Sequence, residues 1–177
     1  RGGPHGRRAA RGHIRPIRPG YPTWDNTYDW NFQVDTASAR FMLEHSHPTL
    51  VPLTVTVETA LWREYLPQLA SAGPLGALIA RQAQAFAADE DNERKIGTVY
   101  PCVPDDLIHF QHDALACAIG LGWREGVVIE ELPLHLTERG GWLYETIHPD
   151  GKPTRVVTAV DGETFSRYWL AVVSGEV

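Results

Sequence analysis

Cysteine is scarce in this chain of 177 residues, which has only Cys102 and Cys117. Two cysteines at this spacing match neither a disulfide framework nor a zinc motif. The chain also lacks an apolar run of the roughly 18–20 residues that a membrane span needs, and the charged and apolar regions of a secretory signal. We therefore expect a protein of a reducing, cytoplasmic compartment without a membrane partner.

Lysine is nearly as rare, because Lys95 and Lys152 are the only lysines among 16 basic residues. The arginines are unevenly spread, and six of them lie in residues 1–18, where there is no acidic residue. The remaining ten basic side chains stand against 22 acidic ones. An acidic body disfavours nucleic acid as a partner and suits a protein that holds a cation or a neutral polar ligand. We expect residues 1–20 to form a flexible basic arm and residues 21–177 to form the folded domain.

Helical and strand periodicities alternate along the rest of the chain. The expected helices cover residues 36–44, 57–71, 75–89, 105–119 and 162–173. The expected strands cover residues 50–55, 127–129 and 142–146, with an Asp150-Gly151 turn leading into 155–160. This order predicts an α/β fold with a short, mostly parallel sheet flanked by helices and a β-hairpin near residues 141–160.

Aromatic side chains are crowded among carboxamides and carboxylates in residues 21–32, a segment without helical or strand period. Trp30 stands there between Asp29 and Asn31, and Asn26 precedes them. Aromatic faces beside hydrogen-bonding groups on an irregular segment are typical of a site for a polar ligand. A packed aromatic loop explains the same composition equally well.

A second candidate site is the His112-Asp113 pair, which stands where polar residues give way to small apolar ones. At a helix N-terminus the carboxylate of Asp113 suits a hard cation such as Ca²⁺, which prefers oxygen ligands. The imidazole of His112 suits proton transfer. The simpler alternative is that the pair only caps a helix.

Three segments together resemble the C-terminal half of the inosine/uridine-type nucleoside hydrolases. They are DWNFQVDTASA at 29–39, LVPLTVT at 50–56 and HDALA at 112–116. The family has an E-x-N-x-x-x-D-P-x-A-A segment, a V-P-L-x-V-T segment and an H-D-P-L-A segment in the same order. The resemblance covers roughly residues 12–174, so the domain at 21–177 would be a partial nucleoside-hydrolase domain.

The resemblance implies hydrolysis of the N-glycosidic bond of ribonucleosides and a role for each matched residue. His112 would protonate the leaving base, and Asp113 would be one ligand of a Ca²⁺ ion. The substrate contacts of the family fall on one segment of this chain: Asn26, Asp29, Trp30 and Asn31.

The calcium site implied by the resemblance is incomplete in this chain. The family's D-x-D-x-x-x-D-D and G-P-L-T-N segments are missing, and Asp29 and Thr36 replace a glutamate and a proline. Asp113 alone cannot hold Ca²⁺, which takes about 6–8 oxygens. The chain therefore resembles half an enzyme, to be completed by a complementing N-terminal half or assembled as a homo-oligomer. The alternative is a non-catalytic nucleoside- or ribose-binding or assembly protein of the same fold.

Overall fold

The computed structural model describes residues 30–89 and 106–176. Its helices are α1 (Trp30–Val34), α2 (Thr36–His45), α3 (Leu53–Thr56), α4 (Leu66–Ser71), α5 (Gly73–Ala87), α6 (His112–Gly120) and α7 (Gly162–Ser174). Its strands are β1 (Thr49–Leu50), β2 (Ala60–Trp62), β3 (Leu107–Phe110), β4 (Val127–Arg139), β5 (Trp142–Ile147) and β6 (Lys152–Val160). No helix in these two stretches is long and apolar enough to cross a membrane.

The described residues divide into two compact units. Unit 1 holds residues 30–55 and 127–160, and unit 2 holds residues 56–89, 106–126 and 161–176. The basic arm expected at residues 1–20 lies outside the described residues, as do Asn26 and Asp29.

Unit 1 contains a four-stranded sheet in the order β1-β6-β4-β5. Only β1 and β6 pair in parallel; β4 pairs antiparallel with both β6 and β5. The two-stranded sheet of unit 2, formed by β2 and β3, is also antiparallel. The α/β class is confirmed, but the strand pairs among the described residues are mixed rather than mostly parallel.

The hairpin lies elsewhere than expected. Strands β4 and β5 form it around Gly140 and Gly141, whose φ angles of 60° and 80° suit a tight two-residue turn. The expected hairpin near residues 141–160 is wrong, because β5 and β6 lie on opposite sides of β4. The connection between them passes over β4 at Gly151, where a Cβ would lie 2.6 Å from the Pro133 carbonyl oxygen.

Helices α1 and α2 are anchored to the sheet of unit 1 by polar contacts. The Gln33 carboxamide donates to the Leu143 carbonyl at 2.8 Å and accepts from the Leu143 N–H at 2.9 Å. The Lys152 ammonium donates to three carbonyls at the C-terminal end of α2, those of Leu43, Glu44 and Ser46. A cation there also opposes the negative end of the helix dipole.

Two expected helices contain strands instead. Residues 60–62, within the helix expected at 57–71, form β2, and residues 107–110, within the helix expected at 105–119, form β3. Leu107, Ile108 and Phe110 are buried, and the pairing with β2 decides their conformation. The strand expected at 50–55 ends at Leu50, because Pro52 has no N–H to continue a ladder and a helical turn follows.

Candidate functional site

His112 is the first residue of α6, directly after the short β3 strand and the N-cap residue Gln111. The side chain of Gln111 makes no capping hydrogen bond to this helix. It is buried instead, with Oε1 accepting from Ser166 Oγ at 2.8 Å, and Ser166 Oγ accepts from the Ala60 N–H at 3.2 Å. The interpretation of the His112-Asp113 pair as a helix cap is therefore wrong. These bonds fix the start of α6 to β2 and α7.

The imidazole of His112 is held by a buried hydroxyl. Thr56 Oγ1 lies 2.6 Å from His112 Nδ1, and Thr56 is only 3% exposed. The Thr56 carbonyl accepts from the N–H of Thr59 at 3.1 Å and from its hydroxyl at 2.7 Å, which fixes the end of α3. Because Nδ1 is engaged, Nε2 is the nitrogen left to meet a ligand. A hydroxyl can donate or accept, so Thr56 suits both the neutral and the charged ring.

A second imidazole, that of His109, belongs to the same cluster. Its ring stacks on Phe86 with centroids 4.7 Å apart and planes 7° apart, and it stands perpendicular to His112 at 5.9 Å. His109 Nδ1 accepts a hydrogen bond from the Phe110 N–H at 2.8 Å. The proton of the neutral ring is therefore on Nε2. The sequence patterns assigned no catalytic or binding role to His109, Phe86 or Thr56.

Burial favours the neutral form of both imidazoles. Burial, reinforced by the neighbouring His109, lowers the pKa of His112 to about 4, although the Asp113 carboxylate opposes this shift. Burial also lowers the pKa of His109, again against Asp113. An imidazole in this environment protonates a leaving group only when a bound substrate or a further negative charge stabilises the imidazolium.

Asp113 lies exposed on the first turn of α6, next to His112. The described parts of the chain contain no group of three or more His, Cys, Asp or Glu side chains that could hold a metal ion. These residues therefore do not fit a complete Ca²⁺ site, which needs about 6–8 oxygen ligands. Asp113 is at most one ligand of such a site.

The expected substrate-binding residues are only partly described. Trp30 is the first residue of α1, and Asn31 follows it with an exposed side chain in unit 1. His112 and Asp113 lie in unit 2. The meeting of Asn26, Asp29, Trp30 and Asn31 with His112 stays a prediction.

The described residues have the fold of the nucleoside hydrolases. The chain superposes on the purine-preferring ribonucleoside hydrolase from Gardnerella vaginalis with a TM-score of 0.63 and 18% identity, over 84% of this chain and 46% of that one. It superposes on the inosine-uridine preferring nucleoside hydrolase from Bacillus anthracis with a TM-score of 0.51 and 22% identity, over 88% of this chain and 46% of that one. No protein-family model and no curated protein matches the sequence.

These similarities confirm at the level of the fold the resemblance that the three sequence segments indicated. The chain spans about half the length of the two hydrolases, since it covers 46% of each. At 18% and 22% identity the similarity shows the fold, and activity has to be argued from the side chains.

Proposed function

We propose that this chain is one part of a ribonucleoside hydrolase, which cleaves the N-glycosidic bond to give ribose and the free base. The observation that carries the proposal is the contact between Thr56 Oγ1 and His112 Nδ1 in a nucleoside-hydrolase fold. Because Thr56 engages Nδ1, Nε2 of the half-buried His112 ring is the nitrogen that can meet a ligand. His112 is also the first residue of the segment that resembles the family's H-D-P-L-A.

His112 acts as the proton donor in this proposal. The protonated ring gives its Nε2 proton to a nitrogen of the base while the bond between C1′ and the base breaks. The bonding electron pair leaves with the base, and water adds to the resulting oxocarbenium-like carbon with loss of a proton. Thr56 accepts from Nδ1–H of the imidazolium, so the ring keeps its orientation throughout.

The remaining site residues are part of the same proposal. Four residues contact the ribose or the base: Asn26, Asp29, Trp30 and Asn31. Asp113 would be one ligand of Ca²⁺, and the other ligands would have to come from a complementing N-terminal half or a second copy of the chain. Because the described residues alone do not fit a calcium site, the isolated chain is expected to bind nucleosides without turning them over.

A nucleoside titration tests the proposal in the isolated chain. Inosine and uridine are added with Ca²⁺, the imidazole signals of His112 are followed by NMR, and released ribose is measured as reducing sugar. We expect a saturable shift of the His112 signals, retained in the exposed control His47→Gln, and no release of ribose; His112→Ala serves only to assign the signals. If neither nucleoside shifts these signals, the proposal is wrong. Release of ribose by the isolated chain would contradict the incomplete calcium site.

A nucleoside- or ribose-binding protein without turnover is the second candidate. The lack of a group of metal-binding side chains in residues 30–89 and 106–176 favours it. The two candidates differ once the chain is mixed with a chain that carries the family's Asp-rich segment. Release of ribose that depends on His112 supports the hydrolase, and nucleoside binding with no release in any mixture supports the binding protein.

A further inference from the structure

Unit 1 has a histidine pair of its own on the sheet. His135 of β4 is paired with Thr146 of β5, and His148 follows two residues later. Residues two apart along a strand face the same side, so His148 is the diagonal neighbour of His135. The ring centroids lie 5.6 Å apart with the planes at 50°. Both residues are exposed, and 51% of the His148 side chain is accessible.

The spacing of these rings suits a shared metal ion. Imidazole nitrogens bind zinc at about 2.0–2.1 Å, so two rings that share one such ion have their centroids roughly 4.5–6.5 Å apart. The observed centroid distance of 5.6 Å falls inside this range. Neutral imidazole prefers divalent zinc, copper and nickel, and copper binds most tightly in this series.

Asp150 is placed to support His148 as a ligand. The Asp150 N–H donates to His148 Nδ1 at 3.2 Å, so Nε2 is the nitrogen that remains for an ion. When a metal takes Nε2, the ring proton moves to Nδ1, which then needs an acceptor. The Asp150 carboxylate oxygen Oδ2 is already 3.8 Å from Nδ1 and can accept it after a small rotation.

We propose that His135 and His148 bind a divalent transition-metal ion, with Asp150 orienting His148. Water fills the other coordination positions, because the described residues offer no third metal-binding side chain at this place. The site shares no residue with the nucleoside proposal, so either proposal can fail without the other.

A copper titration of the full chain tests this site. Cu²⁺ is added at neutral pH, binding is measured by calorimetry, and the paramagnetic broadening of each histidine signal is followed by NMR. His5 and His13 also offer imidazoles for Cu²⁺, so the result is read as the difference in bound Cu²⁺ between each variant and the wild type. We expect His135→Gln and His148→Gln each to lose one equivalent of bound Cu²⁺, while the control His47→Gln keeps it.

The Asp150→Asn variant tests whether Asp150 orients His148 or binds the metal ion itself. It is expected to keep the equivalent of Cu²⁺ but to weaken its binding about 10–100-fold, as for other carboxylates that support a histidine ligand. Circular dichroism verifies that each variant is folded. The proposal is overturned if His135→Gln and His148→Gln, both folded, bind Cu²⁺ with the stoichiometry and affinity of the wild type.

Discussion

Thr56 determines which nitrogen of His112 can meet a ligand. The two residues are 56 positions apart in the sequence, and they are joined by a 2.6 Å contact. Thr56→Val keeps the shape of the side chain and removes the hydroxyl. We expect it to give mixed tautomers of His112 in ¹⁵N NMR spectra and to lower the free energy of unfolding by about 1 kcal/mol. Thr56→Ser should restore both, and an unchanged ¹⁵N pattern in Thr56→Val would show that Thr56 does not orient the ring.

His112 and Asp113 should affect turnover differently in the assembled enzyme. His112→Ala should slow hydrolysis of inosine by about 10²–10⁴. The loss should be smaller for a nitrophenyl riboside, whose leaving group needs no proton, and calcium affinity should hardly change. Steady-state assays with both substrates measure this. Equal slowing on the two substrates would remove His112 from proton transfer.

Asp113→Ala is the contrasting variant. If Asp113 is a calcium ligand, calcium affinity and turnover should fall together for inosine and for the nitrophenyl riboside. A calcium titration monitored through activity measures both quantities in one experiment. If a folded Asp113→Ala variant has normal calcium affinity, Asp113 is not a calcium ligand. Its carboxylate then only interacts with the helix dipole at the start of α6.

At the scale of single elements, α7 depends on a glycine at its first position. A Cβ on Gly162 would lie 1.7 Å from the carbonyl oxygen of Glu58, so only glycine fits against this backbone. Gly162→Ala should therefore lower the free energy of unfolding by at least about 2 kcal/mol. Gly120, the last residue of α6, is the matched control, because nothing lies within 4 Å of its Cβ position. Gly120→Ala should be neutral or stabilise by up to about 1 kcal/mol. Urea unfolding measures both, and equal midpoints would contradict this packing.

The N-cap of α7 should make stability depend on pH. The Asp161 carboxylate accepts from the Thr164 N–H at 3.0 Å, and this bond, followed by the one from the Thr164 hydroxyl, lowers the pKa of Asp161 below 3.8. A lowered folded-state pKa stabilises the fold above the unfolded-state pKa, and the gain is lost as pH falls through the folded-state value. Asp161→Ala should cost about 0.5–2 kcal/mol at pH 7 and less in strong acid.

Asp161→Asn is the control for the charge, since it retains a capping oxygen without a titrating group. Urea unfolding of the three proteins at several pH values separates the cap from its ionisation. A cost of Asp161→Ala that stays constant down to strong acid would contradict the role of the ionised carboxylate.

Comparison of the expected and observed helices and strands shows which of them local sequence patterns are sufficient to predict. The helices expected at 36–44 and 162–173 are both present, and Asp35 and Asp161, which directly precede them, each accept a backbone N–H from three residues later. A cap depends only on its own turn, so the sequence is enough to predict it. Leu107–Phe110 was predicted as helical and is a strand, because its conformation depends on Ala60–Trp62, which lies far away in the chain.

At the scale of the whole molecule, exposed apolar side chains favour self-association. Leu75 and Leu78 of α5 are 62% and 44% exposed and lie three residues apart, on one face of the helix. We expect wild-type chains to associate as concentration rises, and a Leu75→Glu, Leu78→Glu double variant to remain monomeric. Sedimentation velocity over a range of concentrations measures this. If the wild-type chain is monomeric at every concentration, the expectation that the chain forms a homo-oligomer is wrong.

The α/β class, the two capped helices and the three segments similar to nucleoside hydrolases follow from the sequence alone. Each depends on residues close together in the chain, where periodicity, capping chemistry and motif spacing act directly. Only the tertiary structure decided which strands pair and which hydroxyl holds His112. Strand β4 lies between β5 and β6, and Thr56 meets His112, because burial brings together residues that no local pattern connects.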